Sequence, residues 1–346
     1  MNSKERVLRK LNGKDVDMTP VGCTTAYADV ELMKRSGFER PLADRDPAAM
    51  AGLSLAGYRI AGFDWIKAMG WDITSLSEAL GCELGPPAID APYFIASHPY
   101  EQRDINELDL PDDLLERGRF PAFKEQFRLL KEKAGDDIAI FGMSEGPFTC
   151  AANLMGTSNA LRATLKDPQS IEKALAVTTE ALIRVITFAF SQGADYYCLA
   201  DPTSGSDLLN PRSWVKFVAP AMRKIVDAAP GPIVLHICGN TEKLLPDMCA
   251  SGVAGISIEE KTDLKLAVEI AHAKGVKVFG NVSSSSTLFM GTPEACFAEA
   301  IAALECGVDF LAPGCGIAPA SPLENILQLR RARDAKFNAP AFTGIA

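Results

Sequence analysis

The sequence lacks an excess of positive charge, since 35 lysines and arginines stand against 44 acidic residues in a chain of 346, for a net charge of −9. A nucleic-acid-binding protein normally presents a basic face to phosphates, so this balance argues against nucleic acid as a partner. The sequence also shows no uncharged apolar run of the roughly 18 residues that a membrane-spanning helix needs. We therefore expect neither nucleic acid nor a membrane among its partners.

We expect no secretory signal, because charged residues are spread through residues 1–18. We therefore expect a cytoplasmic protein in which most of the nine cysteines are reduced and serve as small apolar side chains of the core. Histidine is scarce, with three in the chain. A chain of this length buries a large core without help from metals or disulfides, so a bound metal would serve chemistry rather than folding.

Short apolar runs alternate with amphipathic helical stretches along the chain. Runs that are apolar on both faces and separated by helices are typical of a parallel sheet. Eight runs are predicted as strands, namely Thr19–Thr25, Phe63–Met69, Ile138–Met143, Ala194–Ala200, Gly231–Ile237, Val253–Ile258, Val276–Val282 and Val308–Pro313. Eight such units form either a closed barrel or a doubly wound sheet. No Gly-x-Gly-x-x-Gly motif follows the first run, which weakens the dinucleotide-binding alternative.

We predict an α/β protein with a single domain over residues 1–346, a (β/α)8 barrel. Residues 1–18 form an N-terminal helical extension in this interpretation, with a helix from Ser3 to about Asn12. Residues 75–120 are irregular and rich in proline. We predict that they form an insertion over the mouth of the barrel rather than a second domain.

The strongest chemical signal lies at the ends of two predicted strands, where barrel enzymes carry their catalytic side chains. His236 and Cys238 end the fifth strand and, being two residues apart, face the same side. Cys315 follows the last strand and lies between two glycines. One imidazole and two thiolates form a ligand set typical of zinc, and three protein ligands leave a position for a substrate. The alternative, three buried side chains without a metal, is disfavoured by the strand-end positions and the flanking glycines.

Two carboxylates end the sixth predicted strand. Glu260 shares a face with Ile256 and Ile258, whereas Glu259 falls on the other face. Either carboxylate could fill the fourth zinc position until a substrate displaces it, and we favour Glu260. The alternative is a salt bridge to Lys261 or to a nearby arginine.

Other strand ends carry polar residues that are expected to line a pocket. We assign Asp201 to catalysis together with Glu260, and Glu145 and Asn281 to cofactor binding. Asp201 and Asn281 could also act by orienting the zinc ligands, which is the usual role of such neighbours. Glu78 is either a charge on a helix surface or a residue of the mouth, and the sequence does not separate these alternatives.

Several segments around these residues resemble the methylcobalamin:coenzyme M methyltransferases, a family of the uroporphyrinogen decarboxylase-like superfamily. The two most specific segments are 234–240 (Val-Leu-His-Ile-Cys-Gly-Asn) and 311–319 (Leu-Ala-Pro-Gly-Cys-Gly-Ile-Ala-Pro). The resemblance continues through 145–147, 200–202, 257–261 and 280–284, and it covers nearly the whole chain.

The resemblance implies a TIM barrel of the uroporphyrinogen decarboxylase type with a zinc ion held by His236, Cys238 and Cys315. The related cobalamin-independent methionine synthases add a glutamate at the spacing that separates Glu260 from His236. The implied function is transfer of a methyl group from a methylated corrinoid to the thiol of coenzyme M. The implied partners are this thiol and a separate methyl-corrinoid protein that docks over the mouth of the barrel.

Three other functions stay open. The acceptor could be tetrahydrofolate or another thiol. The protein could be a decarboxylase like uroporphyrinogen decarboxylase, which needs no metal, although the Arg-rich segment of that enzyme has no counterpart around Pro20–Tyr27. It could also be a binding protein without activity whose cysteines are inert.

Overall fold

The computed structural model describes residues 1–340. The strands in this part are β1 (Trp65–Lys67), β2 (Leu84–Gly85), β3 (Phe94–Ile95), β4 (Ala139–Glu145), β5 (Tyr196–Ala200), β6 (Ile233–Ile237), β7 (Gly255–Ile258), β8 (Lys277–Val282) and β9 (Phe310–Pro313). The α-helices are α1 (Ser3–Leu11), α2 (Val30–Ser36), α3 (Pro47–Arg59), α4 (Ser75–Ala79), α5 (Phe120–Ala134), α6 (Pro147–Met155), α7 (Thr157–Lys166), α8 (Pro168–Gln192), α9 (Pro211–Ser213), α10 (Ala219–Ala228), α11 (Leu245–Ala250), α12 (Leu264–Ala273), α13 (Pro293–Cys306) and α14 (Leu323–Lys336). Short 3-10 segments lie at Leu42–Asp44, Ile105–Glu107, Leu114–Glu116 and Pro202–Ser204, and π-helical segments at Trp214–Val218 and Ser284–Phe289.

Seven of the strands form one parallel sheet in the order β1-β4-β5-β6-β7-β8-β9. The segment around Val21 occupies the eighth position. Val21 forms a parallel bridge with Leu311 of β9, and its carbonyl accepts a hydrogen bond of 2.7 Å from the backbone N–H of Asp64, next to β1. This segment therefore contacts both edges of the sheet and closes it, which confirms the predicted (β/α)8 barrel.

The first predicted strand, Thr19–Thr25, is the exception, because it is reduced to this bridge. Pro20 has no N–H to donate to a neighbouring strand. The N–H of Val21 donates to the side chain of Asp64 over 2.9 Å instead of to a strand carbonyl. The other seven predicted strands overlap the observed strands.

Aromatic side chains fill the interior of the barrel. Phe279 and Phe310 stack with their ring centroids 4.0 Å apart, and Trp65 meets both rings edge-on. Val7 and Leu11 of α1 pack against the same cluster from the amino-terminal end of the strands. The predicted N-terminal helix therefore covers the amino-terminal end of the barrel. The active site of such a barrel is expected at the opposite end, at the carboxyl ends of the strands.

The insertion, residues 75–120, contains α4, the antiparallel pair β2–β3 and two 3-10 turns. The N–H of Ser77 in α4 donates to the Glu145 carboxylate at the end of β4 over 2.7 Å. The N–H of Tyr100 donates to the carbonyl of Leu154 in α6 over 2.9 Å. These contacts put the insertion at the carboxyl ends of the strands. The division of residues 1–346 into a single domain stays a prediction.

Helix α8 bears on the expectation that the chain contacts no membrane. By length and composition it could cross a membrane, since it has 25 residues and a window with a mean hydropathy of 1.5. The window is not an uncharged run, because Glu180 and Arg184 interrupt its apolar residues. Half of the window is buried inside the protein, and α8 packs against α6, α7 and α10. These contacts are those of a core helix.

Asp64 joins four segments at the amino-terminal end of the barrel. One carboxylate oxygen accepts from Ser3 (2.8 Å) and Arg6 (2.7 Å), and the other accepts from the N–H of Val21 (2.9 Å) and from Arg333 (3.0 Å). Its side chain is completely buried. Removing this carboxylate therefore leaves two arginines with less compensation and a buried N–H without a partner.

We expect Asp64→Ala to lower the free energy of unfolding by about 3–5 kcal/mol, the usual effect of breaking a buried ion pair. Urea unfolding followed by circular dichroism measures this change. Asp113→Ala is the control, because it removes an exposed ion pair with Arg117 and should cost less than about 1 kcal/mol. Equal losses in the two variants would contradict the role of Asp64 in closing the barrel.

Candidate metal centre

The structure brings together the three side chains that the sequence singled out as metal ligands. Nε2 of His236 lies 3.0 Å from Sγ of Cys238, and this sulfur lies 3.2 Å from Sγ of Cys315. All three ligand atoms lie within 4.8 Å of one another. His236 is on β6 and Cys315 follows β9, so the cluster forms only because the barrel brings the ends of these strands to one mouth.

The backbone holds each cysteine in place. Gly239, which follows Cys238, has a φ of 82°, a left-handed conformation that favours glycine. Its N–H donates to the carboxylate of Glu259. The N–H of Cys315 donates to the hydroxyl of Ser284 over 3.1 Å, and this hydroxyl donates to the Cys315 carbonyl. Both thiols are therefore presented from fixed turns.

Ser257 orients the imidazole. It lies opposite His236 on the neighbouring strand β7, and its hydroxyl is 3.0 Å from Nδ1. This contact leaves Nε2 facing the two sulfur atoms, as in metal sites where the second ring nitrogen is held by a neighbour. Sequence reasoning did not single out Ser257, because only the pairing register of β6 and β7 reveals its position.

The two thiols share one proton. The pKa of Cys315 is lowered because Cys238 donates a hydrogen bond to its sulfur, and His236 adds to the effect. The same bond raises the pKa of Cys238, and burial raises it further. The pair therefore holds a negative charge near neutral pH, which is the charge state that binds a metal cation.

Glu260 lies beside this cluster but outside the group of three ligand atoms. Its Oε1 accepts a hydrogen bond of 2.6 Å from Ser283, while its Oε2 is buried without a hydrogen-bond partner among the described residues. A Cβ atom at Gly314, next to Cys315, would lie 2.7 Å from Oε2. The free oxygen of Glu260 therefore faces the turn that carries Cys315.

Glu259 has its own partners. Its carboxylate accepts from the N–H of Gly239 and lies 3.5 Å from Nζ of Lys261. The salt bridge that was the alternative for these two glutamates is therefore formed by Glu259.

Asp201 and Glu145 hold loops at the mouth. Asp201 accepts from the N–H of Thr149 over 2.6 Å, and Glu145 accepts from the N–H and hydroxyl of Ser77. Burial raises the pKa of both carboxyls. Neither residue lines the cavity at the cluster. The catalytic role predicted for Asp201 and the cofactor-binding role predicted for Glu145 stay predictions.

The side chains of Asn281 and Glu78 also make contacts with other residues of the protein. The amide of Asn281 donates to the carbonyl of Glu259 over 3.5 Å, a long contact, and its predicted role in cofactor binding stays a prediction. Glu78 lies in the insertion at the mouth, where its carboxylate pairs with Arg45 and Arg119 at 2.8 Å each. It is therefore a mouth residue engaged in structural ion pairs.

A cavity of about 160 Å3 adjoins the cluster. Its wall is mostly apolar, with Ile73, Met143, Ala200 and Pro202, and the three candidate ligands also line it. Asp72 is the one acidic residue in the described wall. A space of this size and lining suits a small molecule that reaches the two sulfur atoms and the imidazole.

Arg119 neutralises Asp72. The guanidinium donates two hydrogen bonds to the carboxylate, of 2.6 and 2.9 Å. Burial alone would raise the pKa of Asp72, but Arg119 brings it to about 2. Sequence reasoning missed this pair, because neither residue follows a predicted strand directly and the two residues are 47 positions apart in the chain.

The fold and the cluster define an α/β barrel with a potential His-Cys-Cys metal site at the carboxyl ends of its strands. The model of the uroporphyrinogen decarboxylase (URO-D) family matches residues 2–335. The chain therefore belongs to this family, as the resemblance of its motifs indicated.

The relatives are similar over nearly their whole length. The methylcobamide:CoM methyltransferase MtaA of Methanosarcina barkeri is 37% identical, and the match covers 96% of this chain and 97% of the relative. The methylcobamide:CoM methyltransferase MtbA of Methanosarcina acetivorans is 32% identical over 94% of this chain and 96% of its own length. A solved methyltransferase from Methanosarcina mazei superposes with a TM-score of 0.94 at 38% identity, covering 97% of this chain and 99% of that one.

The lowered pKa of Cys315 makes a prediction for the metal-free protein. Alkylation by iodoacetamide needs the thiolate, of which an ordinary thiol holds less than about 1% at pH 6. Because the folded-state pKa of Cys315 is lowered, its thiolate persists as the pH falls from 8 to 6, and we expect it still to react at pH 6. Mass spectrometry of the alkylated peptides measures this.

Cys306 is the control for that experiment, because it is also partly exposed and burial raises its pKa. Labelling of Cys306 should almost stop at pH 6. If Cys315 and Cys306 lose reactivity in parallel, the shared proton between Cys238 and Cys315 is refuted.

Proposed function

We propose that the protein is a zinc-dependent methyltransferase that moves a methyl group from a methylated corrinoid to the thiol of coenzyme M. The observation that carries this proposal is the convergence of His236, Cys238 and Cys315 beside a small cavity. The names of the relatives MtaA and MtbA support the two substrates, since both are methylcobamide:CoM methyltransferases.

The residues present fit a zinc ion. Zinc binds thiolate at about 2.3 Å and imidazole nitrogen at about 2.0–2.1 Å, and three ligand atoms within 4.8 Å of one another can meet a single ion. The charge of the Cys238–Cys315 pair and the orientation of the imidazole by Ser257 supply the ligand states that zinc requires.

Glu260 is our candidate for the fourth ligand before a substrate binds. Its Oε2 lacks a partner and faces the turn of Cys315, whereas the carboxylate of Glu259 is engaged by Gly239 and Lys261. A carboxylate is a weaker ligand for this soft site than a thiolate, so an incoming thiol can displace it.

Zinc at this position would lower the pKa of a bound thiol so that it is deprotonated at neutral pH. The chain's own residues perform the rest: the cavity orients the acceptor, and its apolar wall excludes water from the reacting sulfur. In the overall reaction the thiol loses its proton and its sulfur gains the methyl group. The electron pair of the cobalt–carbon bond stays with the corrinoid.

The size of the cavity favours a small acceptor. Sites for drug-sized ligands usually measure about 300–1,000 Å3, whereas this cavity measures about 160 Å3. A two-carbon thiol fits such a space better than tetrahydrofolate does. The corrinoid is far larger than the cavity, so we propose that it is presented at the mouth by a separate methyl-corrinoid protein in the cytoplasm.

Zinc content together with methyl transfer tests the proposal. We expect about one zinc ion per chain, as for a site with three protein ligands, and transfer from methylcobalamin to coenzyme M. Cys238→Ala and Cys315→Ala should lose both the zinc and the activity, because each removes one of the two thiolates that bind the ion most strongly. Metal analysis and an assay of free thiol measure the two quantities.

Cys249→Ala is the matched control. Cys249 is buried in α11 and lies outside the metal cluster, so this variant should keep its zinc and its rate. A Cys315→Ala protein that retains zinc and methylates the thiol would contradict the ligand assignment. Full activity of a zinc-free wild type, with a carboxylated substrate in place of the thiol, would favour the decarboxylase alternative.

A further inference from the structure

The part of the chain that the structure describes buries five cationic side chains: Arg6, Arg40, Lys67, Arg119 and Arg333. Each of the four arginines has a carboxylate oxygen within 3.3 Å. Lys67 is completely buried, and its Nζ has no hydrogen-bond partner. An unpaired ammonium in a protein interior is costly, and burial lowers the pKa of Lys67 to about 8. Stability alone therefore does not explain a lysine at this position.

The position of Lys67 on β1 directs its side chain toward the mouth. Trp65 packs in the aromatic cluster inside the barrel, and Lys67, two residues nearer the carboxyl end, faces the same way. The charges that act on its ammonium include those of Asp72 and Cys198. Asp72 lines the cavity, and Cys198 lies two residues before Ala200, which also lines it. Lys67 is not itself part of the cavity wall, and these neighbours put it behind the floor of the cavity, above the aromatic cluster.

The surroundings of Lys67 leave its positive charge uncompensated. Among the neighbouring carboxylates Asp72 acts most strongly on it, but both oxygens of Asp72 accept hydrogen bonds from Arg119, and Arg40 adds a second positive charge nearby. The thiols of Cys23 and Cys198 are neutral, because burial raises the pKa of both. An anionic group at the floor of the cavity would consequently be attracted by a cation that no hydrogen bond compensates.

We propose that Lys67 is an anion subsite that binds the anionic end of the thiol acceptor, while the thiol itself meets the cluster of His236, Cys238 and Cys315. This inference rests on the proposed function and adds the feature by which the acceptor is selected. The acceptor is then a short thiol with an anionic group, such as a sulfonate, at the other end. An uncharged thiol of equal length gains nothing from Lys67.

The test compares two acceptors that differ in this group, 2-mercaptoethanesulfonate and 2-mercaptoethanol. The variant is Lys67→Met, which keeps the length of the side chain and removes the charge. We expect the KM for the sulfonate to rise by about 10- to 100-fold, the effect of losing one hydrogen bond to a charged group. The KM and kcat for 2-mercaptoethanol should stay within about twofold of the wild-type values, because this acceptor has no anionic group that interacts with Lys67.

Lys34→Met is the control, since Lys34 is exposed on α2, and it should leave both acceptors unchanged. If Lys67 had a purely structural role, Lys67→Met would raise the KM for both acceptors alike. This result would contradict the proposed subsite. The wild type provides a check that does not depend on the variant's folding. Equal KM values of the wild type for the two thiols also overturn the proposal.

Binding of ethanesulfonate separates this inference from the proposed function. Ethanesulfonate has no thiol, so calorimetry measures the subsite without any methyl transfer. We expect it to bind the wild type and to bind Lys67→Met at least about 10-fold more weakly. If the wild type methylates neither thiol but this difference is found, the proposed function fails and the subsite stands. If both proteins bind ethanesulfonate equally, the subsite fails whatever the outcome for methyl transfer.

Discussion

The contact between the sulfur atoms of Cys238 and Cys315, 3.2 Å apart, is the interaction on which the account of this protein depends. Two ionised thiols would repel each other at this distance, so a proton or a cation must compensate their charge. The two cysteines come from β6 and β9, which are separated by β7 and β8 in the sheet. Their contact therefore requires the curvature of a closed barrel.

Closure in turn depends on contacts at the opposite end of the strands. The segment around Val21 has only a single bridge to β9, and the buried carboxylate of Asp64 substitutes for the missing strand pairing by binding the N–H of Val21. The same carboxylate ties down α1 and α14 through Arg6 and Arg333. Contacts at the amino-terminal end of the barrel thus help to fix the positions of the strands whose carboxyl ends carry the candidate metal site.

Much of this arrangement could be predicted from the sequence. The alternation of side chains along a strand was enough to place His236 and Cys238 on one side, and the position of Cys315 after the last strand put it at the same mouth. The first strand was predicted over Thr19–Thr25 because the run is apolar, whereas its pairing is limited by Pro20 and by a distant side chain. The pattern of apolar residues does not show which backbone groups of this segment can pair with a neighbouring strand.

The remaining differences come from contacts between distant segments. Asp201 was assigned to catalysis or to orienting the zinc ligands because it follows a strand; the structure adds its contact with the loop of Thr149, and the assignment stays a prediction. Ser257 and Lys67 gave no signal in the sequence, because the pairing of β6 with β7 determines the role of the first and the lack of a counterion distinguishes the second. The sequence pattern shows which residues lie at the ends of strands. The role of each of these residues depends on its hydrogen-bond partners, which come from distant segments.

These observations suggest a division of work within the mouth. Under the proposed function, the cluster of His236, Cys238 and Cys315 would meet the sulfur of the acceptor, the apolar wall of the cavity would surround its short chain, and Lys67 would lie beneath. X-ray absorption at the zinc K-edge, with and without coenzyme M, tests the central claim most directly. We predict two sulfur ligands at about 2.3 Å without the thiol and three with it, as an oxygen ligand is lost. A spectrum without sulfur, or one that coenzyme M leaves unchanged, would contradict the account.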